Sequence, residues 1–159
     1  EETVVNISGN MTKMWLEQDL LKDFQYKDIT RSNLQGASDF IANGSLSYSN
    51  NQEKEFIATV TGNYSSDKIF ALGSPEDFSK SATLYNDEII EKGFVSLDFV
   101  ASKAISKNLI VKLIGRNLLN PEIKQTQLVR SLITNEETSQ TVLSYRKGSQ
   151  LTFSINYTF

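Results

Sequence analysis

The chain has 159 residues, 39% of them hydrophobic, a formal net charge of −3, and neither cysteine nor histidine. The missing residue types exclude a disulfide framework, thiolate or imidazole metal ligation and a histidine-based triad, and interspersed charges of both signs summing to −3 argue against the dominant basic patch of a nucleic-acid surface. No apolar run of about 18 residues could cross a membrane as a helix, but a mean hydropathy of −0.31 is also what a wall apolar at every second residue would average.

In chain order, period-two alternation predicts six strands. The first, about residues 3–16, sets Val5, Ile7, Gly9, Met11 and Trp15 against Asn6, Ser8, Asn10 and Thr12. A charged connection, residues 17–33, follows it. The second strand, about 34–49, aligns Phe40, Ala42, Gly44, Leu46 and Tyr48, and Asn50, Asn51 and Gln52 make a tight turn. The third, about 54–70, sets Phe56, Ala58, Val60, Gly62 and Tyr64 against Thr59, Thr61 and Asn63. A second long connection, 72–86, carries a Gly-Ser-Pro turn. The fourth strand, about 89–102, aims Val95, Leu97, Phe99 and Ala101 one way and Ser96 and Asp98 the other. Ser106, Lys107 and Asn108 turn the chain into the fifth, about 109–119, where Leu109, Val111, Leu113 and Gly115 oppose Lys112 and Arg116. A third long loop, 121–140, leads to the last strand.

That last strand, LSYRKGSQLTFSINYTF over residues 143–159, alternates most cleanly. Leu143, Tyr145, Leu151, Phe153, Ile155, Tyr157 and Phe159 share one face, and Ser144, Arg146, Gln150, Thr152, Ser154, Asn156 and Thr158 the other. Connections alternate long, short, long, short, long, which gathers the long loops near Asp23, Glu76 and Glu136 at one end and the turns at Asn51 and Lys107 at the other. Membrane barrels have this asymmetry, whereas Greek-key sandwiches scatter their loop lengths. Phe40 to Tyr48 and Phe56 to Tyr64 are each eight steps along a strand on one face, roughly 20 Å along the normal for a tilted strand, close to the ~25 Å apolar band of a barrel. On this ruler Trp15, Phe40, Tyr64 and Tyr145 mark an outer aromatic girdle, and Tyr48, Phe56, Phe99, Tyr157 and Phe159 an inner one.

The ending resembles the terminal strand of bacterial outer-membrane barrels, in which alternate hydrophobic residues and a final Phe are read by the barrel assembly machinery; the matching positions are Phe153, Ile155, Tyr157 and Phe159. GRNLLNPEI, residues 115–123, resembles the penultimate strand of TonB-dependent transporters, and LQGASDFIANGSLSY, residues 34–48, an earlier strand of that family. TVLSYRKGSQLTFSINYTF is similar to endings in its Bacteroidetes branch. The resemblance implies an all-β fold, an up-and-down transmembrane barrel of about 22 strands of which residues 1–159 form a carboxy-terminal part. Six strands alone fall short of the about 8 that close the smallest such barrels. It further implies a bacterial outer-membrane location and energy-coupled uptake of a siderophore, glycan or peptide. The implied partners are outer-membrane lipid, the rest of the barrel and its plug, the assembly machinery, a surface lipoprotein and the inner-membrane energy-coupling protein. No plug or energy-coupling box is found in these residues.

Chemistry is sparse. No phosphate-cradling glycine motif occurs, and the carboxylate pairs Glu88/Glu91 and Glu136/Glu137 are expected to be solvated surface charges, so no enzymatic activity, cofactor or metal is expected. Asn-x-Ser/Thr matches at Asn6, Asn10, Asn43, Asn63 and Asn156 are expected to be polar strand positions. Asp98, Lys112, Arg116 and Arg146 share the polar parity and suggest a charged ladder on a wet lumen wall. Gly9, Gly44, Gly62 and Gly115 fall on the opposite, outward face. The alternative reading is a soluble or surface-anchored β-sheet domain that binds a partner in the manner of an adhesin.

Overall fold

The computed structural model describes residues 3–24, 29–50, 55–73, 83–131 and 133–159. The strands are β1 (Thr3–Lys13), β2 (Glu17–Asp19), β3 (Arg31–Asn33), β4 (Phe40–Asn50), β5 (Phe56–Ser65), β6 (Lys68–Ala71), β7 (Thr83–Glu91), β8 (Phe94–Ser106), β9 (Leu109–Arg116), β10 (Glu122–Ser131), β11 (Glu137–Arg146) and β12 (Gln150–Tyr157). Among the described residues the only helical element is a 3-10 turn at Lys22–Phe24.

The protein is all-β and its sheets are antiparallel. Six strands pair in the order β1-β4-β5-β8-β9-β12, so each pairs with the next along the chain among those six. A second sheet has the order β11-β10-β7-β6, and β2 pairs with β3 alone. The second sheet continues the first. At the end marked by Lys13, Phe40, Ser65, Phe94, Arg116 and Gln150, the chain breaks after β5, before β8, after β9 and before β12, then resumes as β6, β7, β10 and β11 in the same lateral order. We call the first sheet the wall and the second the outer sheet. Among the described residues neither closes on itself, and β1 and β12 are the wall's edge strands.

Several expected boundaries are corrected. The last strand is not continuous from 143 to 159: residues 147–149 interrupt it, so Leu143, Tyr145 and Arg146 belong to β11 in the outer sheet. The loop expected over 121–140 is largely β10 and the start of β11. Ile89 to Glu91 end β7, not the strand that becomes β8, and Lys68 to Phe70 lie in β6. β1 stops at Lys13, which leaves Trp15 outside it, and β4 starts at Phe40. The turn at Asn51 and Gln52 and the loop around Ser74, Pro75 and Glu76 lie outside the described residues. At the opposite end from the breaks, β8 and β9 join through Lys107 and Asn108, whose carbonyl accepts from Thr158 N at 3.0 Å.

The GRNLLNP stretch builds one of the breaks. Asn117 and Asn120 adopt φ of 53° and 43°, in the left-handed region that Asn tolerates better than most residues. Their side chains then grip the other break: Asn117 Nδ2 donates to Gly148 O at 2.7 Å, and Gly148 N donates to Asn120 Oδ1 at 2.9 Å. Ser149 Oγ donates to Asn117 O at 2.8 Å, and Gly148, at φ 84°, is where glycine is needed. Asn117 N is itself held by Asp98 Oδ1 at 2.8 Å. Leu118 folds back over Gly115, where an added Cβ would lie 2.8 Å from Leu118 Cδ2. Close approach of that leucine is thus the physical reason for Gly115.

Replacing Asn117 by Ala loses the bond to Gly148 and strains a left-handed residue, a combined cost of about 2–3 kcal/mol. Asn117→Gly loses the bond but keeps the backbone conformation. Hydrogen exchange of β10 and β11 should therefore quicken more in the Ala than in the Gly variant; equal protection in the two would contradict the role of backbone strain.

Candidate functional site

The register joins the apolar positions into rows that cross the whole wall. One row runs Ile7, Leu46, Val60, Phe99, Gly115 and Leu151, and the next runs Val5, Tyr48, Ala58, Ala101, Leu113 and Phe153. Toward the outer sheet lie Gly9, Gly44, Gly62 and Leu97, then Met11, Ala42, Tyr64 and Val95. The charges on this face are confined to its margins: Lys13 opposite Phe40, and Lys103 opposite Phe56. Between those levels every residue is apolar or tyrosine.

Nothing among the described residues covers this face. Ile7 is 83% exposed, Leu151 72% and Phe153 65%, while the buried apolar residues reduce to Leu20, Ile69 and Ile123 among the described residues. A layered domain hides one face of its sheet against a second layer, but here the apolar face is bare. The glycine row opens a groove of about 670 Å³ across β1, β4 and β5, walled by Met11, Tyr64 and Val95.

The opposite face is polar and hydrogen-bonded across strands. Ser8 and Ser45 hydroxyls lie 2.7 Å apart, Asn43 Nδ2 donates to Asn10 Oδ1 at 2.9 Å, and Ser47 and Thr59 hydroxyls lie 3.0 Å apart. Asn6 also lies on this face, as do Asn63 and Asn156, so the Asn-x-Ser/Thr positions are strand residues. Ile41, Ile57, Val100, Ile110 and Ile114 intersperse it.

Aromatic residues gather in pairs at both margins of the apolar face. Phe40 and Tyr64 rings lie 6.1 Å apart at the outer-sheet end, and Tyr48 and Phe56 6.1 Å apart at the turn end. Tyr157 packs edge-on against Phe159 at 5.1 Å. Two girdle positions differ from expectation. Phe99 sits beside Val60, midway between Phe56 and Tyr64, because counting residues within a strand ignores the stagger between strands. Tyr145 opposes Ile123 in the outer sheet, beyond the wall. Trp15 is exposed in the segment after β1. Phe153, Ile155, Tyr157 and Phe159 are all exposed, the first three on β12.

The four charged candidates do not form a ladder. Lys112 opposes Ser102 and Ser154, Asp98 opposes Thr61 and caps Asn117 N, and Arg116 opposes Gln150. Asp98, Lys112 and Arg116 share the polar face, but no ion pair joins them among the described residues. Arg146 lies in the outer sheet opposite Glu122 and donates from Nη1 to Asn120 O at 3.1 Å.

A charged cluster that the sequence did not suggest lies in the outer sheet. Glu91, expected to be solvated, is 9% exposed; Lys68 Nζ approaches its Oε1 at 3.1 Å and Gln125 Nε2 donates to its Oε2 at 2.9 Å. These three residues occupy one rung across β6, β7 and β10. Glu88 accepts a hydrogen bond from the Ser32 hydroxyl, tying β7 to β3. Beside the break, Asp67 receives Lys92 Nζ and Gly93 N, each at 2.7 Å. Among the described residues no group of three or more acidic side chains is arranged to hold a metal ion.

Burial raises the Glu91 pKa, but the Gln125 and Lys68 hydrogen bonds and the charges of Lys68 and Lys147 outweigh it, so the carboxyl ends below its ordinary 4.5. A lowered folded-state value adds stability above the unfolded value and loses it as pH falls through the folded one. Hydrogen exchange in β6, β7 and β10, corrected for intrinsic rates, should therefore quicken as pH falls through and below the ordinary value of 4.5. Glu91→Gln should remove most of that pH dependence; an unchanged response in the variant would contradict this account.

No protein-family model matches the chain, and no curated protein or solved structure matches it.

Proposed function

We propose that the six-stranded sheet is part of the wall of a transmembrane β-barrel in a bacterial outer membrane, a carboxy-terminal portion of a barrel of about 22 strands. The single observation that carries this reading is the bare apolar face, continuous over all six strands and bounded by paired aromatics and lysines. Lipid is the solvent for which such a face requires no second layer. The polar face then borders a wet interior, and the outer sheet projects beyond the membrane at the long-loop end. An open wall would leave the amides of β1 and β12 unpaired in lipid, each costing several kcal/mol, so further strands are required on both sides.

Within that reading the protein is a TonB-dependent transporter, taking up a siderophore, glycan or peptide. Support for this finer step comes from the resemblance of GRNLLNP and of the terminal strand. Its partners are outer-membrane lipid, the remaining barrel and plug, the barrel assembly machinery acting on the last strand, a surface lipoprotein and the inner-membrane energy-coupling protein.

Two substitutions on neighbouring residues of β5 test the wall. In the intact protein folded into lipid vesicles, Val60→Arg should destabilise by about 2–4 kcal/mol, because it places a guanidinium near the bilayer midplane. Thr61→Arg, on the polar face opposite Ser45 and Asp98, should change stability by no more than about 1 kcal/mol. A soluble, adhesin-like domain would instead be monomeric without detergent and tolerate both substitutions.

A further inference from the structure

The apolar face carries a second, smaller groove of about 160 Å³ at its turn end, lined on that face by Phe56, Ala101, Lys103, Val111, Leu113 and Phe153, with Ser102 and Lys112 of the opposite parity completing the lining. The register explains its shape. Ala101 opposes Leu113, and Leu113 opposes Phe153, so a low floor at Ala101 lies between bulkier neighbours. At the margin of this floor stands Lys103, flanked by Phe56 on β5 and Val111 on β9.

The two lysines of the apolar face are not equivalent. Lys13, at the outer-sheet margin, lies 3.8 Å from Asp39. Lys103 has no carboxylate partner among the described residues, and the neighbours opposite it are apolar. Among the described residues, an ammonium held at the edge of a hydrocarbon-facing surface is thus without an anion, which the level of the lipid headgroups would supply. The groove beside it offers an acyl chain the contacts that go with that anion.

We propose that this groove binds one anionic phospholipid, its acyl chain lying on Ala101 between Phe56 and Phe153 and its phosphate resting on the Lys103 ammonium. The proposal rests on the reading of the sheet as a membrane wall. Binding is non-covalent, and the specificity lies in the headgroup charge because the other residues of the apolar parity that line the groove carry no charge.

Native mass spectrometry of the intact protein in detergent, titrated with phosphatidylglycerol or with phosphatidylcholine of the same chains, tests it. The wild type should retain one phosphatidylglycerol about fivefold more tightly than phosphatidylcholine, the effect of about one lysine charge near a lipid surface. Lys103→Gln should abolish the preference, Ala101→Phe should weaken retention of both lipids, and Lys107→Gln, the same charge change at the β8–β9 turn, should alter neither. Equal retention of the two lipids by the wild type, or equal effects of the Lys103 and Lys107 variants, would overturn the site while leaving the membrane wall standing. A protein that is monomeric in plain buffer before any lipid is added would overturn both.

Discussion

The wall depends on keeping one parity through every backbone pairing. Six strands make five pairings, and a one-residue slip in any of them would turn the apolar residues of every strand beyond it to the polar side. Polar pairs on one face and a small-residue row on the other fix the register. Asn10 meets Asn43, Ser8 meets Ser45 and Ser47 meets Thr59, while Gly9, Gly44 and Gly62 align directly behind them. The one irregularity within the wall falls between Ala104 and Ser106, beside the β8–β9 turn, beyond the last row of the apolar band.

Because the band is bare, the wall cannot be stabilised in the manner of a two-layer domain. The area available for hydrophobic stabilisation lies between this face and whatever surrounds it, not among the described residues. The outer sheet follows different rules. It is held by the Lys68–Glu91–Gln125 rung, by the Asp67–Lys92 pair and by hydrogen bonds from residues 35–38, where Gly36 N and Gln35 Nε2 donate to Ile69 O and Phe70 O. Charge networks of this kind suit contact with water, and these lie at and beyond the breaks rather than on the apolar face of the wall.

The parity of the wall strands was legible in the sequence because period-two alternation is a property of residues alone. The breaks were not. Leu143 and Tyr145 have the same parity as Leu151 and Phe153, so alternation runs through residues 147–149 unchanged; Gly148 between Lys147 and Ser149 was the available signal. β10 and the start of β11 read as loop because Thr126, Gln127, Thr138, Ser139 and Gln140 put polar residues on both faces, which leaves no hydrophobic period. The height of Phe99 could not be read either, since it depends on stagger between strands. Glu91 looked like a solvated acid because its partners, Lys68 and Gln125, lie on other strands.

The breaks also give the GRNLLNP stretch a physical role independent of any resemblance: its two asparagines lock the end of β9 to the start of β12 through Gly148. In the proposed wall the residues on the two faces of β5 meet different solvents. Single nitroxide labels at positions 57 to 63 of the intact protein in lipid bilayers measure this directly through relaxation by oxygen, which concentrates in hydrocarbon, and by a water-soluble nickel chelate. The account predicts oxygen accessibility peaking at 58, 60 and 62, with chelate accessibility peaking at 57, 59, 61 and 63. Uniform chelate accessibility at all seven positions would contradict it.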